Sequence, residues 1–139
     1  MSRYVSAELR RIVATRAKFR CEYCLMPEIA AMVKFQVEHI ISLKHGGSTT
    51  SENLAFACPI CNSEKGTDIG TLLEDEDTLI RFFNPRKQDW SDHFFIEDGQ
   101  ILSKTEIGAA TVKILQFNRL ERMLERLELS SAGFYPSEG

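Results

Sequence analysis

Four cysteines fall in two pairs, Cys21-x-x-Cys24 and Cys58-x-x-Cys61. Two intervening residues let both thiolates of a turn reach one ion at about 2.3 Å, so two such pairs match a four-thiolate zinc site. A redox CxxC is an alternative for either pair alone, but it leaves the second copy unexplained. The interval between the pairs exceeds the roughly 15–20 residues of a zinc ribbon, so something is built between them. Inside it lies "VEHIISLKHGG", where Glu38 and His39 stand side by side before Gly46 and Gly47. A carboxylate is costly to bury unpaired, and an imidazole changes charge near neutral pH. Together they are more useful to a site than to a core.

The elements around these residues follow from pattern. Ser6 caps a helix running to about Ala17, with Leu9, Ile12 and Val13 on one face. Pro27 to Met32 makes one short turn. Phe35, Val37, His39 and Ile41 share one face of a strand, and Gln36 and Glu38 face the other way. Glu38 and His39 can therefore serve one site only where that strand ends or bends. "KHGGSTTSEN" is a loop by composition, with Gly-Gly supplying unusual backbone angles. A second extended segment follows. Pro59 then stands at a natural first helical position, and the helix through Asn62, Ser63 and Lys65 ends at Gly66.

The order of knuckle, strand, loop, strand, knuckle and helix resembles the HNH endonuclease family with its ββα-metal core. The residues that carry the resemblance are "CEYC", "VEHIISLKHGGSTTSENL" and "ACPICNSEKG". It implies His39 as general base, Asn53 as the brace of the loop, and Glu38 with Asn62 as ligands of one catalytic divalent ion. The third motif position, often histidine in the family, is Asn62 here. An oxygen-only donor set then favours Mg²⁺ or Mn²⁺ over later transition metals. The expected fold class is α+β: an HNH core clamped by structural Zn²⁺, with an N-terminal helix and a C-terminal hairpin-plus-helices extension. One domain is expected over residues 1–139, divided into a basic helix (1–20), the HNH and zinc core (21–66) and the extension (67–139).

The residue types suit phosphodiester hydrolysis. Such a reaction needs an activated water, neutralisation of charge on the transition state and help for the leaving oxygen. Each residue also has a plainer reading. Asn53 is placed to cap a turn at "SENLAF". His45 reads as a solvated loop histidine, and His93 as packing with Trp90, Phe94 and Phe95. Lys65 is either a phosphate contact or a solvent-facing lysine near a helix end, where the macrodipole favours it.

The chain has 139 residues, and a net charge of −3 does not advertise a nucleic-acid partner. The distribution says more: residues 1 to 20 hold Arg3, Arg10, Arg11, Arg16, Lys18 and Arg20 against Glu8. Arg16, Lys18, Arg20 and Lys65 are the candidate DNA contacts, since a local basic face binds phosphate despite an acidic total. An ordinary amphipathic surface helix explains the same charges. No apolar run approaches a membrane span and no secretion-type leader opens the chain, so a cytoplasmic protein is expected. DNA is the expected partner, no membrane partner is expected, and a dimer is compatible with the sequence. The alternative function is a non-catalytic, zinc-stabilised nucleic-acid-binding module. In the extension, Asp98-Gly99 reads as a hairpin turn, followed by a helix around Glu106 to Gln116. Asn118 and Glu121 read as cap and capping-box partner of a last helix through about Leu129. "LEDEDTL" reads as a solvated connector, and "SSAGFYPSEG" as a frayed end.

Overall fold

A computed structural model describes residues 4–136; Arg3 and the last three residues of the expected frayed end lie outside the described residues. Helix α1 (Ala7–Arg16) starts at Ser6, whose hydroxyl accepts from Leu9 N at 3.1 Å, as the sequence predicts. Its buried stripe is Val13, Ala14 and Ala17, whereas Ile12 is half exposed, one position off the expected face. The chain then makes the first cysteine knuckle, the single turn α2 (Glu28–Ala31) and strand β1 (Gln36–His39). Two one-turn 3-10 helices, Leu43–His45 and Ser51–Asn53, frame the glycine loop.

Strand β2 (Leu54–Ala57) pairs antiparallel with β1, setting Glu38 opposite Ala55 and His39 opposite Leu54. Its four residues "LAFA" are all buried, with α1 packed over the hairpin. Helix α3 (Pro59–Lys65) opens with proline at its first position and stops at Gly66, both as expected. The result is an α+β fold with a ββα unit at its centre.

The extension adds the short pair β3 (Gly70–Thr71) and β4 (Ile80–Arg81), helix α4 (Trp90–His93), and the hairpin β5 (Phe94–Glu97) and β6 (Gln100–Ser103). Asp98 and Gly99 both take positive φ at its turn, the backbone that a two-residue connection of this twist needs. Helix α5 (Glu106–Ile114) covers β6, β4 and β3, and α6 (Leu120–Ser131) closes the described chain. One apolar cluster joins the parts: Val13 from α1, Phe56 from β2, and Phe83, Phe94, Ile101 and Phe117 from the extension. The acidic connector is exposed, in keeping with its composition.

Three expectations change. Asn118 does not cap α6, which begins after Arg119 with no side-chain cap. Its amide instead bonds both backbone groups of Ile101, at 2.9 Å each, and so fixes the hairpin to the segment before α6. The end of the chain is not loose as far as Pro136, because Tyr135 is buried and donates to Cys24 O at 2.8 Å. Phe95 is partly exposed and does not pack as Trp90 and Phe94 do.

Candidate metal centre and active-site cleft

The two knuckles meet. Cys21, Cys24, Cys58 and Cys61 are buried, with their sulfurs all within 4.8 Å of one another. Cys24 Sγ and Cys58 Sγ are 3.7 Å apart. An ion at about 2.3 Å from each sulfur of a tetrahedron sets neighbouring sulfurs roughly 3.8 Å apart, so the cage has the size for zinc. Cys24 N and Cys61 N each donate to the first sulfur of their own knuckle at 3.4 Å. Burial pushes the Cys21 and Cys61 thiols well up, while hydrogen bonds from the other cysteines pull Cys24 down. Four thiols packed this way share negative charge poorly, and a divalent cation resolves that conflict.

Sequence reasoning missed the group that completes the centre. Arg122, on α6, is buried and aims Nη2 at Cys61 Sγ (3.1 Å) and Cys58 Sγ (3.8 Å). Its Nη1 donates to Leu115 O at 2.7 Å and Gln116 O at 3.1 Å. One arginine thus ties the second knuckle to the last helix.

At the end of β1, Glu38, His39 and Asn62 line one open cleft together with Lys44. The strand stops at His39, which is what lets neighbours of opposite parity reach a common space. His39 Nε2 sits 2.9 Å from Thr49 Oγ1, so the glycine loop fixes the ring. Burial, with the Lys65 charge behind it, holds His39 below the ordinary imidazole value and favours the neutral form.

Asn53 is the brace of that loop. Its Oδ1 accepts from Ile41 N at 2.9 Å, and its Nδ2 donates to Ile41 O and Ser48 O at 2.8 Å. Gly47 makes room for it: a Cβ there would fall 1.8 Å from Ile41 O and 2.7 Å from Asn53 Nδ2.

Glu38 is buried, and both of its oxygens have a partner. Tyr23 donates its hydroxyl to Oε2, and Lys65 Nζ lies 2.9 Å from Oε1. Burial pushes the Glu38 carboxyl up, and Lys65 and Tyr23 oppose that. Lys65 is itself 2% exposed and also donates to His39 O (3.2 Å) and Ile40 O (2.9 Å). That corrects both sequence readings of Lys65. Its ammonium does not face solvent, because it is turned inward onto Glu38 and the carbonyls at the end of β1. Asn62 Nδ2 donates to Gln36 Oε1. Each Glu38 oxygen keeps a further lone pair beside its one partner, and amide and carboxylate oxygens are hard donors, so the chemistry of the set fits a hard divalent ion.

The basic candidates divide. Arg16 lies away from the cleft residues and donates through Nη2 to Ser51 O and Leu54 O, both at 2.9 Å. Lys18 is exposed in the turn after α1, and Arg20 bridges to Pro27; neither lines the His39 cleft. His45 is exposed, and His93 Nδ1 sits 2.7 Å from Thr105 Oγ1 against the Phe83 ring, both as expected. Tyr23, Lys44 and Thr49 carried no sequence signal, since each depends on a contact made across the fold.

Residues 21–68 match the family model described as HNH endonuclease. The chain carries an HNH endonuclease domain. Its matched stretch holds both knuckles, Glu38, His39, Asn53 and Asn62, and ends just past α3. Neither a curated protein nor a solved structure gives a significant match. Among the described residues, no helix is long and apolar enough to cross a membrane.

Proposed function

We propose that the HNH domain makes this chain a metal-dependent DNA endonuclease, with zinc held by the four cysteines as a structural ion. The carrying observation is the joint presence of His39, Glu38 and Asn62 in one open cleft, with the imidazole oriented by Thr49. His39 takes the proton of the attacking water, a role worth about 10²–10⁴-fold. Its depressed basicity keeps the ring neutral and ready at pH 7. Asn53 holds the loop that carries Thr49, and so holds the base. Lys44 lies at the cleft edge, where a cation stabilises a bound phosphate.

Glu38 and Asn62 would hold the catalytic ion, with Mg²⁺ or Mn²⁺ favoured. Bound there, it would supply charge neutralisation and a polarised phosphoryl oxygen. Lys65 already neutralises Glu38, so the free protein binds that ion weakly.

One feature favours the second reading, a non-catalytic nucleic-acid-binding module: both Glu38 oxygens are engaged. Incubation of supercoiled plasmid with Mg²⁺, Mn²⁺, Ni²⁺ or Zn²⁺ separates the two. The nuclease reading expects nicked or linear DNA with the wild type and its loss in His39→Ala and Asn62→Ala at unchanged zinc content. No cleavage by the wild type in any metal refutes it.

A further inference from the structure

A second basic surface stands one 3-10 turn away from the base. Arg16, Ser51, Glu52, Pro85, Arg86 and Lys87 line an open groove. Ser51 begins the turn that ends at Asn53, and Thr49, the partner of His39, lies two residues before it. The groove is therefore joined to the catalytic loop through continuous backbone.

Its two arginines are held in place. Arg16 is anchored by the two carbonyls of that turn and of β2. Arg86 and Lys87 stand in a turn fixed by Asn84, whose Oδ1 accepts from Arg86 N at 2.9 Å and whose carbonyl accepts from Lys87 N at 3.1 Å. Arg86 pairs with Glu22 through Nη2, while its Nη1 is buried without a hydrogen-bond partner. Burial pulls the Arg86 guanidinium down, and the positive charge of Arg16 adds to that. Arg86 thus faces Glu22 and Arg16 faces Glu52, with crowding between the two arginines that an anion would relieve. Lys87 is exposed at the rim and free to reach outward.

We propose that this groove binds a backbone phosphate of the DNA, away from the scissile one, and so sets the register of the strand over His39. The proposal rests on the nuclease reading for the identity of the anion. Phosphate contacts of this kind position a duplex without reading its sequence. They also make binding salt-dependent, by a slope of about 0.9 per phosphate neutralised.

The test uses the full zinc-loaded chain carrying His39→Ala, so that DNA stays intact, and fluorescence anisotropy of labelled duplexes of unrelated sequence across roughly 50–200 mM salt. Lys87→Gln, at an exposed position, is expected to weaken binding several-fold on every duplex. It should also flatten the plot of log affinity against log salt by about 0.9. Arg86→Gln should do the same, its zinc content reporting that the fold survives. Lys113→Gln on α5, whose ammonium bonds Leu72 O, should leave the slope alone. Unchanged slopes in both groove variants overturn the proposal, as does a His39→Ala parent that binds no duplex at all. The two readings can fail separately. Groove variants without effect in a chain that still cleaves plasmid sink the groove alone. A groove-dependent slope in a chain that never cleaves sinks the nuclease reading, and the groove stands.

Discussion

Replacing Arg122 by methionine keeps much of the side chain's bulk and removes its charge. In the wild type, Nη2 lies 3.1 Å from Cys61 Sγ, and Nη1 bonds Leu115 O at 2.7 Å and Gln116 O at 3.1 Å. A divalent ion with four thiolates carries a net charge of about −2, so one guanidinium neutralises half of it. Removing one partner of a buried charge pair costs about 3–5 kcal/mol, a range that includes hydrogen bonds to charge worth about 1.5–3 kcal/mol. Against a total stability of about 5–15 kcal/mol, that is a large share. If about 2–3 kcal/mol falls on the metal-loaded state, zinc affinity drops roughly 30- to 140-fold, at about 1.4 kcal/mol per factor of ten. The assays are chelator competition for the metal and urea unfolding with zinc in excess. Arg122→Lys keeps the charge but loses the planar fork, and should recover only part of both. Zinc affinity within about twofold of wild type in Arg122→Met, at unchanged stability, would refute the charge argument.

Gly47→Ala places a methyl group against Ile41 O and the Asn53 amide; overpacking of about 1–3 kcal/mol should show in urea unfolding, with plasmid cleavage reduced and zinc content unchanged. Lys65→Met strands a buried carboxylate and should cost about 3–5 kcal/mol, whereas adding Glu38→Gln to it should recover part of the loss in a double-mutant cycle. The pH–rate profile should lose activity on its acid side below the ordinary His value of 6.5, because burial and Lys65 lower the His39 pKa. The same shift means the unfolded chain binds the proton more readily, so the His39 contribution to stability is present above 6.5 and is lost as pH falls from there through the lower folded value. An acid limb above that value in cleavage assays contradicts both statements.

Much of the HNH core was legible because its signals are local. Cysteine spacing, Pro59 at a helix start and Gly66 at its end need no knowledge of distant residues. The unit came out with the expected strand, loop, strand and helix. The charged contacts did not, since they depend on what another segment presents. Lys65 reads as a surface lysine until the carbonyls of His39 and Ile40 are seen beneath it. Helix α6 is the clearest case. "LERMLERLEL" suggests buried leucines and solvated arginines, yet Arg122 and Arg126 are buried while Leu120, Leu124 and Leu127 are exposed. Thiolates near Arg122, and the Gly99 and Phe117 carbonyls around Arg126, draw the cationic face inward. A periodic hydrophobic pattern carries no record of acceptors contributed by other parts of the chain.

Trp90 is the only tryptophan of the chain, and its indole Nε1 donates to Tyr23 O at 2.8 Å, inside the first cysteine knuckle. The molecule therefore carries its own optical gauge at the metal centre. Loading or stripping the ion should shift the carbonyl that this indole leans on, and intrinsic emission should then follow metal occupancy in an unlabelled sample. An ion added at the proposed Glu38 site, where Tyr23 donates its hydroxyl, would reach the same ring only through the tyrosine, so the two sites should leave different spectral traces.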